Sequence, residues 1–338
     1  MENFEIWYNK NYKKLLILPT VILLLAILSI GIFYIQTGDF INKDVSLTGG
    51  TTYSLITDKT SGELEGFLGD HFSDFNINTI SDNSGNQIEL VITVTEDDSV
   101  AVGEALEEFL GGPLTEENSS KESTSSGLSQ DFYKQLIIAI ILAFFWMSAV
   151  VFIIFSKGKK NKAKVVFLNI LFGFFMGNFF LSLNVFLSGI IFIAFCFFLI
   201  KIYIKNSVPA FAVMLSAFAN IVMTLAIVDL VGIKISIAGI TAFLMLIGYS
   251  VDTDILLTTR LLKKRGRVNE LLFGAFKTGT TMTITSIIAV TTALIVVSSF
   301  ASVLNQIFTI LLIGLGFDLF NTWITNASIM KWYVEEGR

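Results

Sequence analysis

A single cysteine, Cys196, among 338 residues excludes any internal disulfide. It sits in an apolar run, where a free thiol packs as a small hydrophobe. The lone histidine, His71, has no cysteine or second histidine around it, so no zinc site is expected and no Ser/His/Asp set can form. No phosphate-binding glycine loop followed by Lys-Ser/Thr occurs, which leaves no sign of nucleotide hydrolysis. These absences argue against an enzyme, a metal or a cofactor. Charge is scarce as well: 15% of residues carry it against 53% that are hydrophobic. Long charge-free runs separated by short basic clusters exclude an ordinary water-soluble domain and read as transmembrane helices with their loops.

The remaining charge is unevenly placed. Between Asp39 and Lys134 stand nineteen of the 28 acidic residues and only four lysines. The basic residues concentrate instead at the N-terminus, at 156–164, at Lys201 and Lys205, at 260–277 and at the C-terminal tail. Basic loops next to spans face the cytoplasm, so both termini are expected inside the plasma membrane and the acidic segment outside. Topology explains the basic residues, and no nucleic-acid partner is expected.

The pattern predicts a polytopic α-helical membrane protein of about eight transmembrane helices with a small α+β ferredoxin-like extracytoplasmic domain. Residues 1–35 hold a cytoplasmic lead and span 1, from about Leu15 to Ile35. Residues 36–134 form the outer domain with a polar linker. In it Val45–Thr57 and 87–95 alternate as strands, Phe75–Ile80 and Gln87 onward flank the turn Ser-Asp-Asn-Ser-Gly, and Ser61–Phe72 and 97–110 are helical. This β-α-β-β-α order is most of a split βαβ unit, and Thr115–Gln130 is expected to be linker. Span 2 covers 135–155. The apolar run Val165–Ile204 is too long for one helix and predicts a hairpin of spans 3 and 4, within 156–206, that turns near Asn184. Spans 5 and 6 fill 207–260. Residues 261–279 predict a basic amphipathic helix on the inner surface, with Val268, Leu271, Leu272, Ala275 and Phe276 on one face. Spans 7 and 8 and the tail occupy 280–338.

Carboxylates inside the spans are the chemical signal, because one at a helix centre costs about 2.5–3.5 kcal/mol on insertion scales. Asp229 lies at a span end near Lys234 and reads as interfacial. Asp252 and Asp254, two residues apart, point to opposite sides of span 6, and Asp318 lies near the middle of span 8. Ser250, Asp254 and Thr258 form one stripe that predicts local satisfaction of Asp254, so Asp252 and Asp318 are the favoured proton- or ion-linked groups. Polar residues Ser216, Asn220 and Thr224 on span 5, Asn321, Thr322, Thr325 and Asn326 on span 8, and the threonines opening span 7 imply a bundle with a polar interior. Hydroxyls and amides of this kind also bond helices together without any transport role.

Four segments resemble the SecF family of membrane proteins. Val45-Ser-Leu-Thr-Gly-Gly-Thr51 is similar to the family's opening of the outer domain, marked here by Gly49, Gly50 and Thr51. Gly248-Tyr-Ser-Val-Asp-Thr-Asp-Ile-Leu-Leu-Thr-Thr-Arg260 resembles the fourth-helix signature of the archaeal members. Val208-Pro-Ala-Phe-Ala-Val-Met-Leu-Ser-Ala-Phe-Ala-Asn220 and Gly314-Leu-Gly-Phe-Asp-Leu-Phe-Asn-Thr-Trp-Ile-Thr-Asn326 resemble the third and sixth. The resemblance implies the fold of the resistance-nodulation-division transporters. It implies a non-enzymatic subunit that pairs with SecD and helps the SecY channel complex move preproteins across the lipid bilayer on an ion gradient, H⁺ or Na⁺. By position it implies that Asp252 and Arg260 lie in the functional helix and that Asp318 faces it. The chain departs from the family in three places: Ser46 stands where an acidic residue is usual, Asn220 where aspartate is common, and the 156–206 hairpin is extra.

Competing readings are a small-molecule exporter of the same superfamily, which normally has two large outer domains, and a translocon scaffold without ion coupling. An intramembrane aspartyl protease is disfavoured, since Phe317 separates Gly316 from Asp318 where that chemistry has the aspartate directly after Gly-x-Gly.

Overall fold

The computed structural model describes residues 2–72, 75–81, 87–178, 185–263, 266–297 and 302–337. A helical lead, α1 (Glu2–Leu15), runs into α2 (Ile17–Thr37), which ends on Gly38 in the left-handed conformation (φ 81°). The α+β domain follows: α3 (Val45–Thr48), β1 (Gly50–Leu55), α4 (Ser61–Gly69), β2 (Phe75–Ser81), β3 (Gln87–Val94), α5 (Ser99–Leu110) and β4 (Ser119–Thr124). Then come α6 (Ser126–Phe155), α7 (Lys159–Asn178), α8 (Val185–Asn206), α9 (Val208–Leu230), α10 (Ile237–Lys263), α11 (Val268–Val297) and α12 (Ser302–Phe320). A π-helical turn, Asn321–Asn326, joins α12 to α13 (Ala327–Glu336).

The four strands form one antiparallel sheet in the order β2-β3-β1-β4, the complete ferredoxin-like arrangement. Alternation along β1 and β3 turns Tyr53, Leu55, Leu90, Ile92 and Val94 to one face, where α4 and α5 cover them with Leu64, Leu68, Val102 and Leu106. Burying such a side chain contributes roughly 1.5–3 kcal/mol. Thr60 starts α4 with a reciprocal capping box to Glu63. Two expectations are corrected here. Val45–Thr48 is a helical turn, and the strand begins only at Gly50, after Gly49 has taken φ 91°. The segment expected to be linker supplies β4 and the first turn of α6. Its sequence, Ser-Ser-Lys-Glu-Ser-Thr, shows no apolar alternation because a polar edge strand can be held by its backbone ladder without an apolar face.

Among the described residues, seven helical stretches are long and apolar enough to cross a membrane. The protein is therefore a multi-pass membrane protein. The expected span not among these seven is span 3, which corresponds to α7, whose first turns carry Lys159, Lys160, Lys162 and Lys164. The hairpin turn near Asn184 and most of the Ser81–Gly85 turn lie outside the described residues. The pair α7 and α8 packs on α6 through Phe145, Phe172 and Phe195, with the Phe172 and Phe195 rings stacked at 4.1 Å between centroids.

Among the described residues no separate surface helix fills 261–279. Helix α10 continues to Lys263, and α11 runs unbroken from Val268 to Val297. The centre of the apolar face expected to lie on lipid is buried instead: Leu272 and Ala275 pack with Tyr8, Tyr12, Trp323 and Met330 of α1, the π turn and α13, while Phe276 stays 39% exposed. At that junction Lys331 is 1% exposed. Its Nζ donates to Asn269 Oδ1 at 2.9 Å and to Asn9, and it lies over the rings of Tyr8 and Tyr12.

Candidate functional site

The polar stripes of α9, α10, α12 and the π turn converge in the bundle interior. Ser216, Asn220 and Thr224 of α9, Ser250, Asp254 and Thr258 of α10, Asp318 of α12, and Asn321, Thr322 and Asn326 of the π turn are each at most 1% exposed. Asp254 is the best-held member. Its Oδ1 accepts from Asn326 Nδ2 at 2.8 Å and from Ser216 Oγ at 3.2 Å. Asn326 Nδ2 also reaches the Asp254 carbonyl oxygen at 3.4 Å and Thr258 Oγ1 at 3.5 Å. The second oxygen, Oδ2, is buried without a hydrogen-bond partner.

Asp318 stands near enough to Asp254 for the two carboxyls to repel, with Ser250 and Thr322 beside it. Neither of those hydroxyls closes a hydrogen bond, and Asp318 Oδ1 is also unpaired. Both side-chain atoms of Asn220 are in the same condition. Such groups normally cost about 1–3 kcal/mol each when left unsatisfied. Two buried carboxyls within electrostatic reach of one another, among open acceptors and hydroxyls, form a node whose repulsion falls when either takes up a proton or a cation.

The π turn makes this geometry. One extra residue per turn shifts the helical register, so Asn321, Thr322, Thr325 and Asn326 are all buried. Thr325 Oγ1 donates to Asn321 Oδ1 at 3.2 Å, which fixes the amide. Close approach of the neighbouring helices needs glycine. A Cβ at Gly279 of α11 would lie 2.5 Å from Trp323 Cζ2 and 3.1 Å from Thr253 Cγ2.

The remaining sequence-predicted residues separate from this node. Asp252 is exposed, on the α10 face that also exposes Met245 (40%) and Tyr249 (49%). The sequence ranks Asp252 above Asp254; burial places Asp254, not Asp252, beside Asp318. Local satisfaction of Asp254 by its own helix is also corrected: the donors come from α9 and the π turn, and Ser250 stands beside Asp318. Arg260 bridges α10 to α11, donating to Thr278 Oγ1 at 2.9 Å and to the Gly274 carbonyl. Gly49, Gly50 and Thr51 lie outside the membrane node. They start β1 and fasten it to β4, where Thr51 Oγ1 and Ser123 Oγ are 2.8 Å apart. Sequence reasoning missed Lys331, read as a tail charge, and Gln306, for which no periodic signal exists.

Comparison with known proteins shows the family and the fold of this chain. A family model described as "Protein export membrane protein SecD/SecF, C-terminal" matches residues 175–336. The protein-export membrane protein SecF of Methanothermobacter thermautotrophicus is 34% identical over 333 residues, covering 96% of this chain and 94% of its own. That of Methanolacinia petrolearia is 32% identical over 336 residues, covering 96% and 95%. Among solved structures, SecDF from Thermus thermophilus, a translocon-associated membrane protein, superposes with a TM-score of 0.54 at 13% identity. The match takes in 97% of this chain and 38% of the length of that structure, and it speaks for the fold.

Proposed function

Because this chain belongs to the SecF family of protein-export membrane proteins, we propose that it is an accessory export subunit that pairs with a SecD-like chain. Together they draw on the transmembrane ion gradient to assist preproteins through a SecY channel. The observation that carries the reading is the pair Asp254 and Asp318, both buried among unpaired polar atoms. Two carboxylates retained at membrane depth are expensive, and hydrogen bonding alone is served more cheaply by amides. Loading one proton or one cation between them changes the repulsion that sets the spacing of α10 and α12.

The exposed face of α10 supports the partner. A carboxylate facing hydrocarbon is unfavourable, so the face with Asp252 needs a polar mate. Threonines exposed on α11 have no such need: Thr281 and Thr292 donate to carbonyls one turn back at 2.7 and 2.8 Å. The basic clusters support a topology with both termini in the cytoplasm and the α+β domain outside.

The test of partnership is purification in mild detergent of the chain co-expressed with a SecD-like chain. The two are expected to elute together, and Asp252→Leu is expected to weaken the association. A stable, export-active monomer refutes the reading.

A further inference from the structure

The α+β domain is not tethered loosely to the bundle. Ile41 and Leu47 of the segment that leads into it are 7% and 0% exposed. They are plugged among Val228, Ile235, Phe243 and Ile310 of α9, α10 and α12 with their connecting loop. Between these two plugs the backbone pairs in parallel with the α9–α10 loop. The Ile235 N–H donates to the Asn42 carbonyl at 2.6 Å, and the Asp44 N–H donates to the Ile235 carbonyl at 2.9 Å. Asp229, at the end of α9, accepts the Asn42 N–H on Oδ1 at 3.2 Å. The Asn42 amide donates to the Gly232 carbonyl at 3.2 Å.

The same loop is fastened to α12. Gln306 accepts from the Ser236 N–H at 3.2 Å and from its hydroxyl, and donates to the Lys234 carbonyl. Gly239 permits the approach, since a Cβ there would lie 2.9 Å from Gln306 Oε1. One compact joint therefore gathers the domain stem and the near ends of α9, α10 and α12. From it α10 runs 17 residues to Asp254, about 26 Å, and α12 runs 12 residues from Gln306 to Asp318, about 18 Å, at ~1.5 Å per residue. The helices that carry Asp254 and Asp318 are thus held at their other ends by the segment that enters β1 at Gly50.

We propose that Asp229, Gln306 and stem residues 41–47 are a transmission joint. They are positioning residues through which a change in spacing between α10 and α12 at the carboxylate pair displaces the α+β domain. This rests on the ion-coupled reading above and adds to it the route by which the domain is driven. A packed joint serves this purpose because well-packed contacts shift between discrete arrangements rather than deforming freely.

The test uses the chain with its SecD-like partner in vesicles, in a Cys196→Ser background. Spin labels at Glu104→Cys on α5 and Ile295→Cys on α11, both exposed, report the distance between domain and bundle. The distance is expected to shift when a gradient is imposed. The shift is expected to vanish in Asp229→Ala/Gln306→Ala and in Asp254→Asn. In unlabelled protein, a disulfide from Lys43→Cys to Ile235→Cys, whose backbones already pair, is expected to restore gradient-stimulated export to the joint variant and to lose that rescue on reduction. A gradient-dependent shift that persists in Asp229→Ala/Gln306→Ala overturns the joint. So does wild-type export that is gradient-stimulated and Asp254-dependent with no distance change. Export that is indifferent to Asp254→Asn and Asp318→Asn overturns the ion-coupled reading itself.

Discussion

Helix α12 approaches α10 at Gly314, and one methyl group there measures how much the site depends on that contact. A Cβ on Gly314 would lie 2.5 Å from both Cδ atoms of Leu246 and 3.0 Å from its Cγ. Leu246 cannot swing away freely, because it is fully buried with Ile240, Phe243 and Ile310 around it. Overpacking of this kind costs about 1–3 kcal/mol. Alanine in place of glycine returns up to ~1 kcal/mol of helix propensity. Gly314→Ala is therefore expected to lower stability by about 1–2 kcal/mol, a factor of about 5–30 in the folded-to-unfolded ratio. Leu246→Ala alone, a cavity mutation, is expected to cost about 2–5 kcal/mol. The double variant is expected to be more stable than the sum implies, with a coupling of about 1–3 kcal/mol, because the methyl then fills part of the space Leu246 vacated. Equilibrium unfolding in mixed micelles measures all three. Asp318 is four residues on, about 6 Å along the axis, so gradient-stimulated export should fall in Gly314→Ala and recover in part in the double variant. Simple additivity of the two substitutions refutes the packing argument.

Replacing Asn326 by alanine removes the 2.8 Å hydrogen bond to Asp254 and should cost about 1–3 kcal/mol of stability together with export. Asn326→Asp, which adds a third carboxyl to the node, should be worse than alanine in both assays. Lys331→Met leaves Asn9 and Asn269 without their buried donor and should loosen α1, read as faster proteolysis near the N-terminus. Lys331→Arg should keep part of the protection. In a Cys196→Ser background, a cysteine at Asn184 should react with an impermeant thiol reagent from outside and one at Lys160 should not. The reverse pattern sinks the proposed topology.

The parts that were legible in the sequence share a physical origin: membrane and core burial write themselves as long or alternating apolar runs. That is why most of the spans, the helix pair α7 and α8 and most of the ferredoxin-like unit could be read. Strand β4 was illegible because its pairing is carried by the backbone and its side chains are polar on an edge. The false surface helix came from reading the basic residues after Arg260 as an interface; the apolar face of Val268–Phe276 answers to α1 and α13, which lie at the chain termini and far away in sequence. At the site, a 3.6-residue period shows that Asp252 and Asp254 point apart but not which one faces inward. The deciding partners, Ser216 and Asn326, stand on helices 38 and 72 residues away, and the second is aimed by a π turn that no residue pattern announces. Charge alone made Lys331 look like an ordinary tail residue, although it is among the largest fully buried side chains.

The central claim is that the buried Asp254–Asp318 pair acts through its charge. An asparagine at either position keeps the side chain's shape and, at Asp254, the acceptor that Ser216 and Asn326 use. It also avoids the cost of a buried carboxylate, so the variants should insert, assemble with the partner and be at least as stable as the parent. The measurement is preprotein export in vesicles with and without an imposed ion gradient, for Asp254→Asn and Asp318→Asn, after partner binding is verified. The account predicts that each variant loses the gradient-dependent part of export while the gradient-independent part remains. Full gradient stimulation in both variants contradicts it and leaves a scaffold held together by interhelical hydrogen bonds.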